Sequence, residues 1–342
     1  MILKQNVGID LSMKKFDVNL SVLDTSFDKR CLGTKQFENT ANGFNQFMEW
    51  IDKRKDKTVE ELFTLEFTGV YYEQLAYFLR EKGKTVHMVI PSKSKKYCES
   101  LSIASKTDKL DAQALAWMGL ERKLREWEPL SSIFLSLRVL TREREELLKE
   151  RTIVSNRLHA VKHKASPSEA TINRYNERLS LINDQVEEIE NEIKEMIKSD
   201  EKLNEKVKNI ITIPGVALVT VSTVLSETNG FSSVLNQKQL TSYAGYDVQL
   251  KESGKFKGKS KISKQGNAHI RRVLHFPAQT AITYNKPLGT FYERVNAKKE
   301  KSMIAGVGVQ RKLLCLIYAI WKTDRVFDPN YETNKYHYKK VG

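Results

Sequence analysis

The chain has 342 residues, with 57 Lys plus Arg against 42 Asp plus Glu, a formal charge of +15. A hydrophobic fraction of 40% beside 29% charged residues is that of a folded globular chain and excludes a disordered or membrane-spanning one. The positive excess points to a polyanion, DNA or RNA. A membrane is not expected, because no apolar run approaches the roughly 20 residues of a spanning helix and no secretory signal stands out.

Residues 1–125 alternate strands and helices. Val7 to Leu11 and Phe16 to Leu23 read as strands, with a third around Lys35 to Glu38. Asn42 to Ile51 reads as a helix, Leu62 to Glu66 as a strand, and Tyr71 to Glu81 as a helix ended by Gly83. Val86 to Ile90 is a further strand, stopped by Pro91, and Asp108 to Arg122 is again helical. The order β-β-β-α-β-α-β-α fits one α/β domain with a mixed sheet.

Residues 126–209 are almost pure helix. Ile133, Leu140, Leu147, Val154 and Val161 recur every seven residues, with Leu137 and Leu158 on a companion seam interrupted by Arg144 and Arg151. After Ser166-Pro167-Ser168-Glu169, a second arm carries Ile172, Leu179, Val186 and Ile193 on one seam, and Tyr175, Ile182, Ile189, Met196 and Leu203 on the other. This patterning predicts a coiled-coil hairpin. Ser166 is the expected cap, Pro167 the first helical residue, and Glu169 the completion of a capping box. Two readings stand: a spacer packing on itself, or a dimerisation arm.

Residues 210–330 mix helices with basic loops. Ile213-Pro214-Gly215-Val216-Ala217 leads into a helix from Leu218 to Leu225 and reads either as an ordinary turn or as a DNA-gripping helix-hairpin-helix. Lys251 to Lys264 is a Gly/Ser/Lys loop, Arg311 to Trp321 is a last apolar helix, and 331–342 form a polar tail expected to be flexible. The three scattered cysteines, Cys31, Cys98 and Cys315, argue against a disulfide framework and for a reducing, cytoplasmic setting.

Four carboxylates weigh together. Asp10 and Glu66 each end an apolar strand, while Asp108 and Asp111 share one face at the start of a helix. Buried unpaired, such groups are costly, and several together repel unless a cation lies between them. Their hard oxygens suit Mg²⁺, which serves phosphoryl transfer by activating an attacking oxygen and stabilising a leaving one. Singly, each acid reads as an edge residue or a helix-start residue.

A second cluster lies in the basic loop. Ser253 precedes Lys255, Lys257, Lys259, Lys261 and Lys264, then a helix with Arg271 and Arg272, and Glu252 is the one acid from Lys251 to Arg272. Clustered cations with freed backbone amides make a nucleic-acid contact surface. Ser253 reads either as a turn serine or as a nucleophile for phosphorus. Two decoys fall away. Gly254 to Ser260 has three residues between its glycines where a phosphate-binding P-loop needs four, and His159 with His163 lacks a third metal ligand.

Over Val7 to about Pro329 the chain resembles the DEDD transposases of a bacterial insertion-sequence family, whose relatives include pilin-gene invertases and bridge-RNA-guided recombinases. The resemblance is carried by the Asp10 strand, Glu66-Phe-Thr-Gly-Val-Tyr71, Lys106-Thr-Asp-Lys-Leu-Asp-Ala-Gln-Ala-Leu-Ala116, Ile213-Pro-Gly-Val216, Tyr243-Ala-Gly245, Glu252-Ser-Gly254, Ile262-Ser-Lys-Gln-Gly-Asn267 and Arg271-Arg272-Val-Leu274. Phe67 and Tyr246-Asp247-Val248 depart from its pattern. The resemblance implies an N-terminal RuvC-like, ribonuclease H-like domain in which Asp10, Glu66, Asp108 and Asp111 bind Mg²⁺. It also implies a mostly helical C-terminal transposase domain with Ser253 as nucleophile. The implied partners are donor and target DNA, a structured guide RNA, and further copies of the chain in a dimer or tetramer with a composite site; the implied setting is the bacterial nucleoid. The competing expectations are a hydrolytic junction nuclease that forms no covalent intermediate, a non-enzymatic nucleic-acid scaffold, and an actin-like ATPase, which would need a second phosphate loop.

Overall fold

The alternating stretches at the N-terminus form a tight antiparallel pair, β1 (Ile2–Leu11) and β2 (Lys15–Asp24), with β3 (Lys29–Glu38) antiparallel on the far side of β2. This is a computed structural model, and it describes residues 1–67, 69–101, 107–232, 234–249, 252–253, 256–258, 261–298 and 301–331. The chain divides into two units, Met1–Pro129 and Leu130–Gly342.

In the first unit, helix α1 (Ala41–Asp52) is capped by Thr40, whose hydroxyl accepts from Gly43 N at 3.2 Å. The chain then returns as β4 (Glu61–Glu66), parallel to β1. Helix α2 (Glu73–Glu81) leads to β5 (Thr85–Val89), parallel to β4, and the sheet order is β3-β2-β1-β4-β5. Pro91 does not simply stop β5. It opens an unexpected helix, α3 (Pro91–Ser100), because a fixed φ and a missing N–H suit a helix's first turn. Helix α4 (Asp108–Glu121) follows.

The two faces of this sheet differ in chemistry. One buries Val7, Ile9, Phe16, Val18, Leu20, Phe63 and Leu65 against Phe44 and Phe47 of α1 and Leu75 and Leu79 of α2. The other is polar and lies under α4. There Asn6 Nδ2 donates to Thr64 Oγ1 at 3.0 Å and to Ala116 O at 2.9 Å. These bonds satisfy groups whose burial would otherwise be costly.

In the second unit, α5 (Ser132–Lys162) and α6 (Glu169–Lys198) are two long helices that pack on each other as a hairpin. Val154, Leu158, Ile182 and Val186 are buried between its arms. The polar interruptions are bonded across the pair, with Arg144 Nε donating to Glu190 Oε1 at 2.7 Å. The cap of α6 is Ser168 and not Ser166, since its extended backbone lets the hydroxyl accept from Thr171 N at 3.4 Å. The second arm stops sooner than its seam suggested. Asp200 starts a separate helix, α7 (Glu201–Ile211), by accepting from Leu203 N at 3.0 Å.

The base of the hairpin and the remaining elements share one core. Leu137, Ile193 and Ile197 join residues from α7, α8 (Leu218–Thr228) and α9 (Gln237–Tyr243). The expected basic loop carries short strands, β6 (Val248–Gln249), β7 (Glu252–Ser253), β8 (Phe256–Lys257) and β9 (Lys261–Ile262), pairing β6 with β9 and β7 with β8. Helices α10 (Ala268–Val273), α11 (His275–Tyr284), α12 (Lys286–Asn296) and α13 (Ser302–Thr323) complete the unit. Against expectation, α13 is long and apolar enough by length and composition to cross a membrane. Val309, Leu313, Leu314 and Ile317 are fully buried in the unit's own core, which accounts for that composition. The Pro214-Gly215 turn packs inwards, because a Cβ at Gly215 would meet Pro277 O at 2.7 Å.

Candidate active site

The β1–β4 register pairs Ile9 with Leu65, so Asp10 and Glu66 follow as neighbours at the carboxyl ends of two parallel strands. In open α/β sheets, ligands bind beyond these ends. Helix α4 brings the other two acids. Ala112, Ala116 and Gly119 form a stripe of small residues along it, and Asp108 extends that stripe one turn towards the helix start. The stripe lies directly on β1. A Cβ at Gly8 would meet Ala112 O at 2.0 Å and Ala116 N at 2.2 Å, and one at Gly119 would meet Asn6 Nδ2 at 2.0 Å. Only backbone and small side chains permit such contact, and it sets the first turn of α4 beside the end of β1.

Asp10, Glu66 and Asp111 are half-buried and Asp108 is exposed. The Asp10 carboxyl is pushed up to about 7, by burial first and then by the negative charges of Asp111, Asp108, Glu66 and Asp17. The charges of Glu66, Asp108 and Asp111 thus reach Asp10. Glu66 is held by α3, whose buried Ser94 donates from Oγ to Glu66 Oε2 and also to Pro91 O at 3.0 Å. Cys98 Sγ lies 4.0 Å from Asp111 Oδ1. Ser94 carries no mark in the sequence, where Pro91 reads as a strand end and α3 has no apolar pattern of its own. The glycine inside an apolar strand was an available signal of close helix approach.

An all-oxygen donor set of mutually repelling carboxylates fits a hard divalent cation. Among the described residues, no three His, Cys, Asp or Glu side chains stand close enough to grip one ion alone. A cation here would complete its shell with water or phosphate oxygens, as Mg²⁺ ordinarily does.

In the second unit, the motifs around Tyr243 and Asn267 interlock. Asn267 N donates to Tyr243 O at 2.7 Å, and Lys264 N to Gly245 O at 3.1 Å. A Cβ at Gly266 would meet Tyr243 O at 2.4 Å. From this base the β6–β9 and β7–β8 pairs extend, and Ser253 pairs with Phe256 in the inner ladder. Of Ser253 and Lys257 the backbone pairing is described and the side chains are not, while Lys255 and Lys259 lie outside the described residues. Lys261 and Lys264 are exposed, as a contact surface requires. Arg271 and Arg272 are engaged within the chain. Arg271 Nη1 donates to Ala244 O at 2.7 Å and to Asn267 O at 3.2 Å, and Arg272 pairs with Glu145 of α5. Both arginines thus have intramolecular partners that a linear charge count does not reveal.

Beneath this surface is a buried ion pair. Glu227 of α8, 1% exposed, takes both oxygens to Arg142 at 2.8 and 3.0 Å, and its Oε2 also accepts from Asn267 Nδ2 at 2.6 Å. The buried Tyr246, which departs from the resembled pattern, donates to Gln310 Oε1 at 3.1 Å.

Comparison with known proteins matches two segments of the chain. Residues 7–167 match the DEDD-type IS110 family model described as "Transposase", and residues 207–293 match the "Transposase IS116/IS110/IS902 family". The chain belongs to this transposase family. A family relative, the pilin gene-inverting protein of Moraxella bovis, is 29% identical over 331 residues, covering 95% of this chain and 98% of its own length. The transposase for insertion sequence element IS1328 of Yersinia enterocolitica is 23% identical over 286 residues, covering 74% of this chain and 81% of its own. Among solved structures, T. thermophilus RuvC in complex with a Holliday junction substrate aligns at 14% identity and a TM-score of 0.26, covering 36% of this chain and 99% of that one.

Proposed function

We propose that the chain cuts and rejoins DNA strands, using Asp10, Glu66, Asp108 and Asp111 around Mg²⁺ and Ser253 as the nucleophile. What supports this reading is the placing of Asp10 and Glu66 on adjacent parallel strand ends, with the start of α4 beside β1, in a member of a transposase family. The 3-2-1-4-5 sheet, with β2 antiparallel to β1 and β3, supports a ribonuclease H-like domain.

Bound at the acids, Mg²⁺ would neutralise phosphate charge and activate an attacking oxygen. The residues supply the rest. Asp10 and Glu66 present oxygens from fixed strand ends, and Ser94 orients Glu66. Asp108 and Asp111 present theirs from the first turn of α4, which the bond from Leu110 N to Thr107 Oγ1, 3.3 Å, caps. The Ser253 hydroxyl loses its proton to water and attacks phosphorus, so an Oγ–P bond forms, a P–O bond to a sugar breaks, and the departing sugar oxygen takes a proton back from water. The phosphoserine link retains the phosphodiester's energy, so a sugar hydroxyl of another strand can displace the serine without ATP. Lys255, Lys257, Lys259, Lys261 and Lys264 hold backbone phosphates, and the net charge of +15 supports binding of a structured guide RNA as well as DNA. The long hairpin supports assembly into a dimer or tetramer through coiled-coil contacts.

The test is expression of the gene with its native flanking DNA and detection of excised circular junctions. Wild type should form them, and Asp108→Ala and Ser253→Ala should not. Junctions surviving Ser253→Ala would overturn the serine assignment.

A further inference from the structure

One buried carboxylate on the α4 side of the sheet stands outside the four acids. Asp17 of β2 is 3% exposed. It is the cross-strand partner of Asp10 in the antiparallel β1–β2 register. Directly opposed residues of such a pair project from the same face, so Asp17 shares with Asp10, Gly8 and Asn6 the face covered by α4. Its own neighbour on β3 confirms the direction, since Gln36 Nε2 donates to Asp17 Oδ2 at 2.7 Å. The second oxygen, Oδ1, is buried and has no hydrogen-bond partner.

Two features of this placement are costly. Like charges directly opposite on a sheet repel, and a buried carboxylate oxygen without a donor bears its full desolvation penalty. A purely structural residue would be better as asparagine or leucine there. Both costs are relieved if a cation with its bound water stands on this face, because the water supplies the missing donor. Outer carboxylates of this kind commonly orient a metal's ligands and waters.

We propose that Asp17 is a fifth functional carboxylate of the acidic centre, a positioning residue whose Oδ2 is anchored by Gln36 and whose Oδ1 accepts a hydrogen bond from water bound to the divalent cation at Asp10. The inference rests on the metal-site reading above and extends it to a residue outside the four acids.

The experiment measures Mn²⁺ binding to the full-length protein by calorimetry, and the thermal midpoint in chelator, for wild type, Asp17→Asn, Gln36→Met and Asp10→Asn. Asp17→Asn should weaken Mn²⁺ binding by about 10-fold or more, the range found for outer-shell ligands. Its midpoint in chelator should equal or exceed that of wild type, because a repulsion has been removed. Gln36→Met, a change on an exposed side chain, should weaken binding in the same direction by a smaller factor and serves if Asp17→Asn fails to fold. Wild-type affinity in Asp17→Asn or in Gln36→Met would overturn the proposal. So would weaker binding accompanied by a lower midpoint in chelator, which marks a structural role. If wild type itself binds no Mn²⁺, or Asp10→Asn binds it as well as wild type does, the metal-site reading fails first and takes this inference with it.

Discussion

Gly8 and Ala116 meet backbone to backbone, so that a Cβ added at position 8 would stand 2.2 Å from Ala116 N. This contact fixes how close α4 lies to β1, and so where Asp108 and Asp111 stand relative to Asp10. Gly8→Ala should therefore destabilise the first unit by about 1–3 kcal/mol, as overpacking in a tight interior does. It should also lower strand cleavage by more than the loss of folded protein explains. Denaturant unfolding and single-turnover cleavage at matched folded fractions check both parts.

The raised Asp10 carboxyl gives a pH signature. Its value of about 7 in the folded chain exceeds the ordinary 3.8, so between these values the folded state holds more protons than the unfolded state. In chelator, the Asp10 contribution to stability should fall as pH rises from about 4 to about 7, then level off. The groups responsible lie on β4 (Glu66), α4 (Asp108, Asp111) and β2 (Asp17). The difference in stability between wild type and Asp10→Asn across this range isolates the effect, and a flat difference would contradict it.

Glu227 fastens the hairpin to the core beneath the basic surface. Burial acts to raise its carboxyl, but Arg142, Arg138 and Asn267 outweigh burial and hold it below the usual carboxylate range. Its contribution should be complete above that range and fade as pH falls through the lowered value. Glu227→Gln should cost about 1.5–3 kcal/mol, the range for a hydrogen bond to a charged group. The lower half of that range is expected because the Arg142 side chain is 45% exposed and can rehydrate. Urea unfolding of the two proteins at neutral pH measures it.

Loss of Lys257 and Lys259 together should weaken DNA binding and flatten its salt dependence by about 0.9 in log–log slope for each phosphate contact removed. Binding titrations between low and moderate salt give the slope, and an unchanged slope would remove the loop from the contact surface.

Much of this architecture is legible in one sequence where a single physical rule dominates. The sevenfold recurrence from Ile133 to Val161 needs an apolar partner, which the unit's core supplies at Ile133 and Leu140 and α6 at Val154. The strand ends at Asp10 and Glu66 are marked by acids closing apolar runs. Close approach between distant segments is less legible. Gly8 reads as one small residue among apolar ones until Ala116 is known to lie on it. Pro91 carries two meanings, strand end and helix start, and α3 with its Ser94 turns on the second. Arg271 and Arg272 count as free charge until Ala244 O and Glu145 are placed beside them. Asp17 looks like a polar residue in an alternating strand, and its significance comes from the register that sets it opposite Asp10.

The central claim is that the four acids do chemistry and not merely architecture. The most direct measurement is single-turnover cleavage of labelled element-end DNA in Mg²⁺ by Asp10→Asn, Glu66→Gln and Asp111→Asn, with DNA affinity measured in parallel. Cleavage should be abolished in all three while affinity stays within about twofold of wild type, a change of well under 1 kcal/mol. Cleavage at the wild-type rate in any one of them would contradict the account.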